Sequence, residues 1–251
     1  MSLQVLYEDN HLLVVNKPAE IATMGAEAGR PTIHAAACEY LKAKYNKPGN
    51  VFVGIVSRLD TMTSGVLVLA RTSKAASRLQ AQFARKGNDS GPGKVYLAVV
   101  QGEIDPPTGH LRDEVFKDDA ARRMRTVGRN GSPTGGSAQS AELEYLSIAG
   151  DDRCTLLAVR LATGRKHQIR VQFADRGHPI LGDRKYGSKR PFPAGISLHS
   201  WALAIDHPTK KDRMAFHASP PRTWRGVLAD LGVADVKDYW PQVSDAFQFN
   251  A

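Results

Sequence analysis

The apolar residues of this chain come in short runs bounded by turn-forming residues, and that pattern limits the fold more than any other feature. Leu12–Val15, Val51–Val56 and Gly65–Ala70 are strand-like, and each is far below the ~18 residues a membrane span needs. Lys94–Val100 alternates between Val95, Leu97, Val99 and Tyr96, Ala98, Val100, the period of a strand. Ala141–Ile148 and Cys154–Leu161 read as strands paired about the turn Ala149–Asp152, with further strands at Ser197–Ile205 and Arg213–Ala218. Helical spacing is confined to four segments. Thr32–Tyr45 is capped by Thr32 and buries Ile33, Ala36, Ala37, Tyr40 and Leu41. A second helix is capped by Ser73, with Ala76, Leu79, Gln80 and Phe83 inward and Lys74, Arg78 and Arg85 outward, and is broken by Gly87–Gly93. Lys166–Arg176 is closed by Gly177, and Trp224–Leu231 is a short last helix. Strands outnumber helices without alternating strictly with them. The expectation is an α+β fold, with a central mixed, mostly antiparallel sheet flanked by helices and loops, in a single domain spanning 1–251. Pro106–Ser140, holding Arg122, Arg123, Arg125 and Arg129, reads as a long basic loop, and 221–251 as a tail.

Lys and Arg total 34 against 25 Asp and Glu, a formal charge of +9. Such a balance favours polyanionic partners, because basic side chains release the counterions condensed on phosphates. The two cysteines, Cys38 and Cys154, lie in no CxxC motif, which excludes a disulfide framework and a cysteine-rich zinc site and suits a cytoplasmic setting. Met1–Asn10 carries two acidic residues and no basic region, unlike a signal peptide.

Two segments concentrate the chemistry. In Ser57–Gly65, S-R-L-D-T-M-T-S-G, Asp60 stands between two apolar runs. An aspartate there is either a turn residue bonding its own backbone or a reactive group, and an arginine partner would hold it ionised and available as a nucleophile. Met62 stands where an aspartyl phosphatase needs its second acid, and M-T-S-G-V around Ser64 lacks the G-x-S-x-G of a serine hydrolase. In the second segment, Ala162–Gly187, Arg165, Lys166 and Arg170 crowd a helix start. Lys166 and Arg170 would share a face at i, i+4, where a phosphate or carboxylate would relieve their repulsion. His167 and His178 lack a third ligand at workable spacing, so no metal is expected.

R-L-D-x-x-T-S-G at 58–65, K-x-Y-x-A-x-V-x-G at 94–102, T-G-R-x-H-Q-I-R at 163–170, G-H-P-I-L-G-D-x-x-Y-G at 177–187 and L-H at 198–199 follow in that order. With L-Y-E-D-N-x-x-L-L-V-V-N-K-P at 6–18, the set resembles the RluA-type RNA pseudouridine synthases over about Leu6–Pro220. The resemblance implies a cofactor-free isomerase acting on structured ribosomal or transfer RNA, monomeric and without an obligate protein partner. It implies Asp60 as the catalytic aspartate and Arg170 as the arginine paired with it. Tyr96 would lie against the target base, Arg58 would enter the RNA as the uridine swings out, and Leu198 would wall the pocket. Whether Asp60 attacks the sugar or removes a proton from it stays open. The motifs begin by residue 6, so no separate N-terminal RNA-binding domain is expected. Two rivals are a non-catalytic RNA-binding or assembly protein on the same fold, and a glycosidase that frees uracil.

Overall fold

The computed structural model describes residues 3–25, 27, 29–85, 91–128 and 137–249. They form two compact units, one built from residues up to Lys94 together with His199–Pro221, the other from Val95–Leu198 together with the chain from Arg222.

The first unit is a mixed sheet. β1 (Gln4–Glu8) and β2 (Leu12–Lys17) form an antiparallel hairpin, and β2 pairs antiparallel with β4 (Ser64–Ala70). The two-residue β3 (Gly54–Ile55) also pairs with β4. β4 lies parallel to β10 (Leu198–Asp206), which pairs antiparallel with β11 (Arg213–His217). Every residue of β4 is buried, because helices cover both faces of its Ser-Gly-Val-Leu-Val-Leu-Ala run. Val66 and Val68 pack with Ala75, Ala76 and Leu79 of α2 (Ser73–Ala84), while Leu67 and Leu69 pack with Ile33, Ala37 and Leu41 of α1 (Ile33–Lys44). Each fully buried aliphatic side chain contributes about 1.5–3 kcal/mol relative to exposure.

α1 starts as expected, with Thr32 Oγ1 accepting from the Ala35 N–H at 3.1 Å. α2 does not: its cap is Thr72, one residue before Ser73, and Gln82 rather than Gln80 is buried, its amide bonded to both the carbonyl and the N–H of Asp206. The residues 86–90 of the expected glycine break lie outside the described residues. Of Val51–Val56, only Gly54 and Ile55 join a strand.

The second unit is wholly antiparallel, ordered β5 (Gly93–Gln101), β9 (Cys154–Leu161), β8 (Gln139–Gly150), β6 (Thr108–Asp118) and β7 (Arg123–Thr126). The expected loop at Pro106–Ser140 is therefore corrected: its first half is the β6–β7 hairpin, and Arg129–Gly136 lie outside the described residues. Strand β6 turns Leu111, Val115 and Phe116 inward and exposes His110, Arg112 and Glu114. α3 (Gln168–Ala174) is shorter than expected. Lys166 precedes it and His167, with φ +54°, is its cap, so Lys166 and Arg170 do not share a helical face. Val171 packs with Val115, Ala141 and Tyr186. The short helix expected at Trp224–Leu231 is α4 (Arg225–Asp230), and the segment after it, expected as a tail, carries a further helix, α5 (Trp240–Phe247), whose Phe247 carbonyl accepts from Arg160. No helix among the described residues is long and apolar enough to cross a membrane.

Candidate active site

Asp60 lies on the connection from β3 to β4, partly exposed, two residues after the exposed Arg58. Three features hold this connection. The Thr23 hydroxyl donates to the Leu59 carbonyl at 3.0 Å and accepts from the Leu59 N–H at 3.3 Å. The Asp60 carbonyl accepts from the Thr63 N–H at 3.1 Å, closing a tight turn. Beneath it lies Lys17, wholly buried at the end of β2. Its ammonium donates to the carbonyls of Pro18 (2.8 Å), Ile21 (2.7 Å) and Thr61 (3.2 Å). Three donors meet three acceptors, so the charged form is fully satisfied. Burial drives the Lys17 pKa down to about 7, and the Asp60 charge opposes that shift.

The turn leads into Ser64 and Gly65, where β4 meets β10. Gly65 has φ +116°, and a Cβ there would sit 2.2 Å from the Ser200 carbonyl oxygen, so only glycine fits. Ser64 Oγ lies 2.8 Å from His199 Nδ1, and His199 Nε2 lies 2.8 Å from the Ala218 carbonyl. A carbonyl only accepts, so Nε2 carries the proton and Nδ1 receives the Ser64 hydroxyl. Complete burial drives the His199 pKa to about 4 and keeps the ring neutral.

The other expected site residues belong to the second unit. Tyr96 is half-buried on β5, opposite Val159 of β9. Leu198, 4% exposed, begins β10. Arg170 is buried in α3, and its Nε and Nη2 donate to Asp183 Oδ2 (2.6 Å) and Oδ1 (2.9 Å) in a bidentate pair. Its guanidinium carbon also stands 5.0 Å from the Tyr186 ring centroid. Asp183 heads the short helical turn Arg184–Tyr186, so the G-D-x-x-Y-G motif supplies both an acid and an aromatic face to Arg170. His167 Nδ1 lies 2.8 Å from the Tyr186 hydroxyl and His178 Nδ1 lies 2.9 Å from the Gln101 carbonyl, so both histidines have structural partners.

Sequence reading missed Lys17 and Asp183. Lys17 had a usable signal, since Leu13, Val15 and Lys17 alternate onto one face of β2, and the first two are core. Asp183 lies within the motif G-H-P-I-L-G-D-x-x-Y-G, but its partner is thirteen residues away and meets it only through tertiary structure.

A family model described as RNA pseudouridylate synthase matches residues 11–175, which span both the Asp60 connection and the Arg170 helix. The chain belongs to that family. Among curated relatives of this RNA pseudouridylate synthase, the dual-specificity RNA pseudouridine synthase RluA of Escherichia coli is 35% identical over 219 residues, covering 86% of this chain and 92% of the relative. The ribosomal large subunit pseudouridine synthase C of Vibrio cholerae is 33% identical over 222 residues, covering 85% of this chain. The chain spans 64% of that relative's length. Among solved structures, human RNA pseudouridylate synthase domain containing 4 superposes with a TM-score of 0.73 at 23% identity, covering 91% of this chain and 93% of its own, a likeness of fold. The synthase is thus of the RluA type.

Proposed function

We propose that this chain isomerises selected uridines of structured ribosomal or transfer RNA to pseudouridine, with Asp60 as the catalytic carboxylate. The observation that carries the reading is the Asp60 turn itself. A partly exposed carboxylate is braced by Thr23 and by the buried Lys17, on a loop of the family's own matched region. In the reaction the N1–C1′ bond breaks, the uracil rotates, and C5 bonds to C1′. The C5 proton leaves to solvent and N1 gains one, so nothing is oxidised and no co-reactant is consumed. Positive charge grows on the sugar as the glycosidic bond loosens, and a carboxylate stabilises or traps it. Arg170 is the site arginine in this reading, and its bidentate bond to Asp183 fixes the guanidinium's orientation. Tyr96 stacks on the flipped base, Leu198 walls it, and Arg58 takes the vacated place in the RNA. Both units serve as one catalytic domain, acting as a monomer in the cytoplasm.

Nucleoside analysis of RNA treated with the purified enzyme tests this. The expected product is pseudouridine, of unchanged mass. Free uracil with an abasic site would instead identify a glycosidase, and unaltered RNA that nevertheless binds would identify a binding protein.

A further inference from the structure

The β6–β7 hairpin carries a charge arrangement that the catalytic reading does not use. Its turn, Asp119–Arg122, is stiffened from within. Asp118 Oδ1 accepts from the Ala121 N–H at 2.8 Å, and Asp118 Oδ2 accepts from Arg125 Nε at 2.6 Å. The hairpin is also tied to the α3 segment of its own unit. The Met124 N–H donates to the Tyr186 hydroxyl at 3.1 Å, that hydroxyl bonds His167, and Thr126 Oγ1 donates to Asp175 at 2.6 Å. Between the hairpin and the loop before α3 lies a cavity of about 290 Å³. Lys117, Asp119, Arg122, Arg123 and Met124 line it from the hairpin, and Lys166 and His167 from the loop before α3.

Among the described residues, four cations and one carboxylate line this cavity. Asp119 is taken by Lys117 in an exposed ion pair. Among the described residues no carboxylate pairs with Arg122, Arg123 or Lys166. Arg123 Nε is shielded from solvent and has no hydrogen-bond partner among the described residues. A buried guanidinium N–H without an acceptor is costly and calls for one. Arg122 and Lys166 are exposed at the rim, so an anionic group can enter while the chain that carries it runs on outside.

We infer that the cavity between the β6–β7 turn and Lys166 is a phosphodiester-binding site, which seats one backbone phosphate of the RNA through Arg122, Arg123 and Lys166. This rests on the RNA-modifying reading above and adds where the substrate's backbone is gripped. The braced turn and the hairpin's ties to Tyr186 and Asp175 hold in place the backbone of the hairpin cations before the RNA arrives, which lowers the ordering entropy lost on binding.

The test is binding to total transfer RNA and to a large-subunit ribosomal RNA transcript over ~50–200 mM salt, alongside tritium release by the wild-type enzyme from the same RNAs. R122Q/K166Q changes two exposed side chains and leaves the packed hairpin intact. It should weaken binding about tenfold or more. The slope of log affinity against log salt should become shallower by about 0.7–0.9, the loss of one neutralised phosphate. R122K/K166R should keep the wild-type slope. An affinity and slope unchanged in R122Q/K166Q overturn the site. So does a wild-type melting point raised by inorganic phosphate while RNA binding ignores the substitutions, since the cavity would then hold free phosphate. Because binding and tritium release are read separately, absent turnover by the wild type counts against the catalytic reading and not against the site.

Discussion

Asp183→Ala removes the acid that holds Arg170, and its cost can be worked from the geometry. The pair is bidentate at 2.6 and 2.9 Å, and the two side chains are only 6% and 2% exposed. Solvent cannot replace the lost carboxylate at such burial, so the guanidinium loses two charge-assisted bonds in a low-dielectric site. Breaking a buried pair from one side costs about 3–5 kcal/mol. For a chain of this size each kcal/mol moves the melting temperature by roughly 2–4 °C, so Asp183→Ala should melt about 6–20 °C below the wild type. Differential scanning calorimetry measures this directly. The double variant Arg170→Met/Asp183→Leu, with neither charge to bury, should recover much of the loss, whereas each single change should not. An Asp183→Ala protein that melts within about 2 °C of the wild type would refute the reasoning, because the pair would then contribute nothing to holding Arg170.

Lys17 sets a pH dependence. Its folded pKa of about 7 lies below its ordinary 10.5, so its contribution to stability is present above 10.5 and is lost as pH falls toward 7, at roughly 1.4 kcal/mol per pH unit. Denaturant melts across pH 7–10 should show this limb in the wild type and not in Lys17→Met, and parallel profiles would contradict the burial argument. His199 acts lower on the scale. With a folded pKa of about 4 against 6.5, its contribution is complete above 6.5 and is lost as pH falls to 4, and His199→Gln should flatten that limb in the same melts. Gly65→Ala forces a Cβ to 2.2 Å from the Ser200 carbonyl at φ +116°, and the overpacking alone should cost about 1–3 kcal/mol. Wild-type stability and turnover in that variant would show that β4 and β10 can part.

The elements legible in the sequence are those whose burial follows a simple period. β4 and the β8–β9 pair are apolar enough to stand out, and α1 has both a cap and an apolar face. The β6–β7 hairpin was hidden because Val115 and Phe116 are adjacent and both buried, which breaks the alternation, while charged residues dominate the exposed positions. The α2 start slipped by one because Thr72 and Ser73 are both good caps, and only the backbone decides between them. The α3 start slipped because His167 takes a left-handed conformation that no spacing announces. Within the site, the motifs pointed to Asp60, Tyr96 and Arg170 but not to their supports. Lys17 falls outside the apolar run Leu12–Val15 and directly before Pro18, although strand alternation carries it into the core. The Asp183 bond to Arg170 exists only once the turn at Arg184–Tyr186 folds back on α3.

The most direct measurement is tritium release from RNA labelled at C5 of uridine, comparing the wild type with Asp60→Asn. The substitution keeps the size of the side chain and removes its charge. Release should be stoichiometric with the wild type and fall to background with the variant, while RNA binding persists. Release by Asp60→Asn at a rate near the wild type's would contradict the assignment of that carboxylate as the group that carries the reaction.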